Sequence, residues 1–267
     1  MKPNKEFKID YLQFSSERFP IWMINESTEF YKRSSKPFYT HETKFANGAM
    51  MYTGNPKTDK HLYVLSGSVC KKLSITADWM QSLVKDNGII SRIDFAMTTD
   101  TNVLKLLQRD RKHIVSEMYN DMKIISDGDY TPQTIYCGDM GKARKKKGIL
   151  RAYDKGLQLG IDLKMYRIEL ELRQNHATIA SKRYASNESI PSIMNAKFKV
   201  NKSWYHDYFG NDESTMRFTD TPIDPIPEIE RKMYWLESQV LPSLQYVIDY
   251  DRDNGTSNFS RLISQLE

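Results

Sequence analysis

Apolar and polar positions alternate along this chain in two periods, and the switches between them outline its elements. Ile89 to Met97 (IISRIDFAM) repeats every second residue, with Ile93, Phe95 and Met97 on one face and Arg92, Asp94 and Ala96 on the other, which predicts a strand. Lys164 to Arg173 (KMYRIELELR) alternates more strictly, setting Tyr166, Ile168, Leu170 and Leu172 against Arg167, Glu169, Glu171 and Arg173. Ile149 to Asp154 divides in the same way, with Leu150 and Ala152 opposite Arg151 and Tyr153. Phe7 to Ser15 and Gln133 to Cys137 predict further strands, and HLYVLSGSVCKK (His61 to Lys72) predicts one that breaks at Ser66-Gly67. Helical spacing marks two other segments. Asp78 to Lys85 gathers Trp79, Leu83 and Val84 on one side before a stop at Asn87-Gly88, and Asn102 to Tyr119 gathers Val103, Leu104, Leu107, Ile114, Val115 and Met118.

Beyond Arg183 the pattern weakens. Ser186 to Ser192 is polar, and Thr219 to Pro227 carries Pro222, Pro225 and Pro227, which reads as a linker. Pro227 suits the first turn of a helix that Ile229, Met233, Trp235, Leu236 and Val240 continue to Pro242, and the tail from Asn254 is expected to fray. The fold expected is α+β: a mainly antiparallel sheet with helices packed on one face and an open polar face carrying the active site, plus a helical C-terminal region. Residues 1–185 are expected to form one domain that carries this polar face, with 186–267 a linker and helical region packed on it.

Composition narrows the classes. With 267 residues and 39% hydrophobic residues the chain can bury a real core. A net charge of +5 points to a polyanionic partner without the excess of a histone, so the placement of the charge matters more than its sum. The first ten residues hold no apolar core of a leader, and nowhere do about 18 apolar residues run together, which predicts a cytoplasmic chain with no membrane partner. Cys70 and Cys137 stand far apart without a partner at zinc-ligand spacing, so buried reduced thiols are expected. The five histidines form no His-x-His or His-x-x-x-His pair, which counts against a zinc hydrolase.

Candidate chemistry arises if the three clearest strands are neighbours. Their apolar faces would then pack on helices, and Asp94 with Arg92, Tyr153 with Arg151, and Glu169 with Glu171 would share one polar surface. Residues two apart on a strand lie about 7 Å apart, so Glu169, Glu171 and Asp94 could share a hard cation, and their all-oxygen donors favour Mg²⁺ or Mn²⁺. A phenol ionises near pH 10 and is a poor nucleophile at neutral pH, so Tyr153 needs the metal or a cation such as Lys155 to help it lose its proton. The basic run Lys142, Arg144, Lys145, Lys146 and Lys147 immediately before it suits phosphate contacts. Taken alone, alternating Glu and Arg reads as a solvated strand face and a strand tyrosine as packing.

A resemblance sharpens these readings. In order, IDYLQFSS (Ile9 to Ser16), VLSGSVCKKL (Val64 to Leu73), SRIDFAMTTD (Ser91 to Asp100), TIYCGD (Thr134 to Asp139), LRAYDKG (Leu150 to Gly156) and YRIELELR (Tyr166 to Arg173) resemble the blocks of the trans-acting Rep family. That family comprises rolling-circle replication initiators of plasmids and phages and related MobT-type relaxases. The resemblance implies that Tyr153 is the nucleophile in an R-x-Y-x-K setting, that Asp94, Glu169 and Glu171 are metal-associated, and that Arg151, Lys155, Arg167 and Arg173 lie near the phosphate. Ala152 stands where the family usually has leucine or isoleucine, and Thr98-Thr99 replace a second acidic position, with Asp100 one step later. The implied partners are duplex and single-stranded origin DNA, a host helicase and a second copy in a homodimer. The rival readings are a relaxase acting at a transfer origin and a non-catalytic copy-control protein.

Overall fold

The computed structural model describes residues 4–17, 28–116, 122–125, 134–138, 148–210 and 241–264. Its strands are β1 (Lys5–Ser16), β2 (Thr28–Arg33), β3 (His41–Phe45), β4 (Met50–Thr53), β5 (His61–Ser66), β6 (Ile89–Thr99), β7 (Ile114–Ser116), β8 (Met122–Ile125), β9 (Thr134–Cys137), β10 (Gly148–Asp154), β11 (Tyr166–Arg173) and β12 (Phe198–Val200). Ten of them form one antiparallel sheet in the order β2-β3-β4-β5-β1-β6-β11-β10-β9-β8, while β7 and β12 pair separately. The helices are α1 (Gly67–Lys72), α2 (Ala77–Lys85), α3 (Val103–Arg109), α4 (Lys155–Leu159), α5 (Gln174–Ala185), α6 (Ile190–Lys197), α7 (Ser203–Phe209), α8 (Leu241–Asn254) and α9 (Asn258–Ile263). The architecture is α+β, as the alternation predicts.

The three diagnostic strands are adjacent, in the order β6-β11-β10. Their registers place Glu171 beside Asp94 and Glu169 beside Arg151. Ile93, Phe95, Met97, Leu150, Ala152, Ile168, Leu170 and Leu172 join Leu12, Phe14 and Leu65 in one buried cluster with Trp79, Met80 and Leu83 of α2, Leu107 of α3 and Ala177 and Ala180 of α5. Helices therefore cover one face and leave the charged side chains of the same strands on the other. Truncating one of these fully buried aromatics, such as Phe95, would cost about 3–5 kcal/mol through lost contacts and a residual cavity.

Several expectations change. The helix predicted for Asn102 to Tyr119 ends at Arg109, a 3₁₀ turn follows over Arg111–His113, and the chain then enters β7. The stop sits at Asp110, whose carboxylate accepts from the Trp204 indole N–H at 2.8 Å, and Ile114 pairs with Val200 instead of continuing the helical stripe. Strands β2 to β4 carry no long alternation and were not expected. Ile190, inside the polar stretch Ser186 to Ser192, opens α6 and is buried with Ile193 and Met194. The tail past Asn254 forms α9, held by Asp251, which accepts from the Phe259 amide at 2.7 Å and from the Asn258 side chain at 2.9 Å. The proline-rich linker and most of the helix expected after Pro227 lie outside the described residues.

The chain divides into two compact units, Met1–Thr219 and Asp220–Glu267. The first includes α6, β12 and α7, beyond the expected division after residue 185, because Ile193, Met194, Phe198, Val200, Tyr205, Tyr208 and Phe209 are part of the same core. Cys70 and Cys137 are both buried free thiols. Among the described residues no helix is long and apolar enough to cross a membrane.

Candidate active site

On the open face, the strand registers align charges of alternating sign into a ladder. Arg173 donates through Nε to Glu171 at 2.7 Å, and Arg92 reaches Glu171 at 3.1 Å while donating through Nε to Asp94 at 2.8 Å. Arg151 lies 3.5 Å from Asp94 and donates through Nε to Glu169. Arg167 stands 3.5 Å from Glu169 and donates to Asp10 at 2.9 Å, and Lys8 follows at 3.6 Å from Asp10. These are not solvated charges: Asp94, Glu169, Glu171 and Arg167 are all buried. A buried carboxylate is tolerated only when paired and hydrogen-bonded, which explains why guanidinium groups alternate with carboxylates along the strands.

Tyr153 joins this ladder at Glu169. Its ring is buried at 7% exposure and its hydroxyl donates to Glu169. Burial raises the phenol's proton affinity, and the negative charge of Glu169 raises it further, so the resting group is the neutral phenol. Glu169 is held below the usual carboxylate range by Arg151 and Arg167 and by the Tyr153 hydroxyl, although burial works the other way. Asp10 is raised by burial, with the neighbouring Glu169 charge adding and Arg167 opposing. Asp94 is pushed up to about 6 by burial, against the pull of Arg92.

A cleft of about 360 Å³ opens over these groups, lined by Asp10, Tyr11, Asp94, Arg151, Tyr153 and Glu169 among others. Lys155 lies beyond the strand that carries Tyr153. β10 ends at Asp154, whose side chain caps α4 by accepting from the Leu157 amide at 2.9 Å, and Lys155 is the first helical residue. Its ammonium nonetheless lies 5.6 Å from the centre of the Tyr153 ring, hydrogen-bonded to Gln158 at 2.6 Å, and burial lowers its proton affinity. Arg173 reaches only the far end of the ladder. Lys142, Arg144, Lys145, Lys146 and Lys147 lie outside the described residues.

Asp94, Glu169 and Glu171 do not converge on one cation. Among the described residues no group of three His, Cys, Asp or Glu side chains comes together to hold a metal ion. Arginines intervene between these carboxylates and take up their charge. Asp10 and Glu169 neighbour each other at the cleft, with Arg167 paired to both, and offer oxygen donors of the kind a hard divalent cation takes.

Asp10 was missed as a site residue, and the reason is a β-bulge. The pairing of β1 with β6 shifts between Ile9 and Tyr11, so Asp10 and Tyr11 both face the cleft although they are consecutive. The signal in the sequence is a phase slip, since Ile9 and Leu12 are three apart where Leu12 and Phe14 are two apart. Gly67 fits the bulge, because a Cβ there would meet the Asp10 carboxylate at 2.5 Å and its carbonyl at 2.8 Å.

Residues 88–263, more than half of the chain, match the family model described as replication initiation factor. A search of curated proteins gives no match. Among solved structures, the rolling circle replication initiator protein from Geobacillus stearothermophilus is similar, with a TM-score of 0.62 and 16% sequence identity over 80% of this chain and 91% of that chain. At that identity the likeness is one of fold, and it is the family match, spanning β6, β10 and β11 with Asp94, Tyr153 and Glu169, that places the chain. The chain belongs to the trans-acting Rep family of replication initiation factors.

Proposed function

We propose that this protein initiates rolling-circle replication by nicking one strand of a double-strand origin, with Tyr153 as the nucleophile. The observation that carries the reading is the Tyr153 hydroxyl, hydrogen-bonded to an ionised Glu169 in a cleft that also presents Arg151 and Lys155. A scissile phosphate entering the cleft meets these cations, which offset the burial that keeps the phenol protonated. As the phenolic oxygen bonds to phosphorus and the bond from phosphorus to the 3′ oxygen breaks, Glu169 accepts the phenolic proton and the departing 3′ oxygen takes up a proton from water. The products are a 5′-phosphotyrosine and a free 3′ hydroxyl that primes synthesis. Arg151 and Arg167 hold Glu169 ionised, and Lys155 stands over the tyrosine ring to hold the phosphate.

Asp10 and Glu169 are the pair suited to Mg²⁺ or Mn²⁺, which when bound would polarise a phosphate oxygen. Asp94 and Glu171 instead orient the arginines of the ladder. Nicking is expected to stop in EDTA and return with Mn²⁺, and Asp10→Asn should weaken Mn²⁺ binding measured calorimetrically in the absence of DNA. Undiminished cleavage in chelator would refute the metal assignment.

The deciding experiment traps the protein on a labelled single-stranded origin oligonucleotide and locates the nucleotide-bearing peptide by mass spectrometry. Tyr153→Phe removes one hydroxyl, so it should keep the fold and DNA affinity while abolishing both the nick and the adduct. An adduct on another tyrosine, or normal cleavage by the variant, assigns the wrong nucleophile. A protein that shifts origin DNA without ever relaxing it is a binder only.

A further inference from the structure

The β2–β3 hairpin lies outside the residues matched to the family, and its tip is built unusually. Phe38 has φ 72°, in the left-handed region that a bulky side chain enters only under constraint, and its ring is 63% exposed. The surrounding turn imposes that conformation. Ser34 and Thr40 close it through an amide-to-carbonyl bond of 2.9 Å, and the Ser34 hydroxyl accepts from the Lys36 amide at 3.0 Å. Glu42, buried beneath, accepts from the Ser35 amide at 2.9 Å and the Ser35 hydroxyl at 2.6 Å. Those two bonds hold the Glu42 carboxyl down to about 2, so the anchor stays charged at any working pH.

The tip is also cationic and aromatic. Lys57 stands 5.4 Å from the centre of the Phe38 ring and Lys36 5.0 Å from that of Tyr52, while Tyr39 lies 6.0 Å from Tyr52. Residues 31–60 contain Lys32, Arg33, Lys36, Lys44, Lys57 and Lys60 against Glu42 and Asp59, and Glu42 is spent internally. The strand registers put Tyr52 on the face that carries the cleft: Tyr52 pairs with Leu62, Leu62 with Ser15, and Ser15 shares its side of β1 with Tyr11. Midway between the two ends, Arg92 covers the Tyr11 ring at 4.1 Å. Cation-capped aromatic rings thus recur across the open face from Tyr153 through Tyr11 to Tyr52 and Phe38. From β10 to β4 the path crosses five strand spacings, about 24 Å.

We propose that the β2–β3 hairpin tip is a second contact for single-stranded DNA, in which Phe38 stacks on an unpaired base of the strand that runs across the open face from the cleft. Stacking platforms set beside backbone cations are how single strands are held without a sequence code. A duplex offers no free base face to such a ring, which favours the single strand as occupant. The constrained turn presents the ring before binding and reduces what must be ordered on association. The proposal rests on the reading that Tyr153 acts on single-stranded DNA, but its test is an equilibrium measurement that needs no cleavage.

Binding of fluorescein-labelled oligonucleotides is measured by anisotropy for wild type, Phe38→Ala and Phe38→Tyr, using a short oligonucleotide confined to the nick site and longer ones extended to either side. The wild type should prefer one extended oligonucleotide over the short one. That ratio should fall at least about fivefold in Phe38→Ala and recover in Phe38→Tyr, while affinity for the extended duplex stays the same. An unchanged ratio in Phe38→Ala would overturn the proposal, as would an equal loss on single strand and duplex. The ring is exposed, so an unchanged melting temperature in Phe38→Ala is the control that separates binding from folding. Absence of any adduct with wild-type protein would instead strike the proposed nicking and leave this result standing.

Discussion

At the scale of single residues, the site is governed by what burial does to each ionisable group. Asp94 is nearly inaccessible, and its carboxyl is pushed up to about 6 even with Arg92 beside it. The folded state therefore keeps a proton between about pH 4 and 6 that the unfolded chain has already released. Stability from this group is fully present below pH 4 and is lost as the pH rises through about 6, a difference of about 3 kcal/mol. Asp94→Asn removes the titration and also an ion-pair partner of Arg92 and Arg151, so its absolute stability falls and the informative quantity is the slope. Melting temperature against pH should be flatter for the variant between pH 4 and 6. Parallel curves would mean that Asp94 does not titrate in that window. Tyr153 shows the same physics, since burial, with the Glu169 charge adding, keeps its hydroxyl protonated.

At the scale of elements, what positions the cleft is strand register, and register is set by details of one or two residues. Gly148 enters β10 with φ 112°, and a Cβ there would lie 1.9 Å from the Glu171 carbonyl oxygen. Gly148→Ala should therefore lose about 1–3 kcal/mol of stability through backbone strain, with further loss from separating β10 from β11, and should lower nicking more than DNA binding. Thermal melting and adduct yield check it, and a melting temperature equal to the wild type's would show that the strand entry relaxes freely. The faces of β6, β10 and β11 were legible in the sequence because strict alternation has one physical cause, a sheet with helices on one side. Asp10 was not, because a bulge shifts the phase of β1 locally. Strands β2 to β4 were not, because they are short and set at the margin of the sheet, where neither face imposes a long pattern. The helical stripe of Asn102 to Tyr119 misled for the converse reason: Ile114 serves a strand pair whose partner lies in β12, far along the chain. Local periodicity does not record such a contact.

At the scale of the whole molecule, composition and linker signals suggested a division after residue 185, whereas the compact unit runs to Thr219. The reason is that α6, β12 and α7 return to the sheet's covered side. Phe209 meets Phe7 with ring centres 5.6 Å apart, and the Lys5 ammonium donates to the carbonyls of Asp207 and Tyr208 at 2.9 Å each. The first strand of the sheet is therefore tied to the last described helix of the unit. A chain ending at residue 185 would expose Ile193, Met194, Phe198, Val200 and Tyr205 partners in the core and leave β7 without β12. Each large apolar side chain removed from such a core costs about 2–5 kcal/mol, so the sum exceeds the stability of an ordinary domain. A chain ending at Thr219 keeps that core and the ladder of Asp10, Asp94, Tyr153 and Glu169. The expected outcome is that the 1–185 chain aggregates or melts without cooperativity, while the 1–219 chain melts cooperatively and forms the tyrosine adduct on a single-stranded oligonucleotide. Calorimetry and the adduct assay decide it, and a cooperatively folded, active 1–185 chain would show that α6, β12 and α7 are dispensable to the sheet.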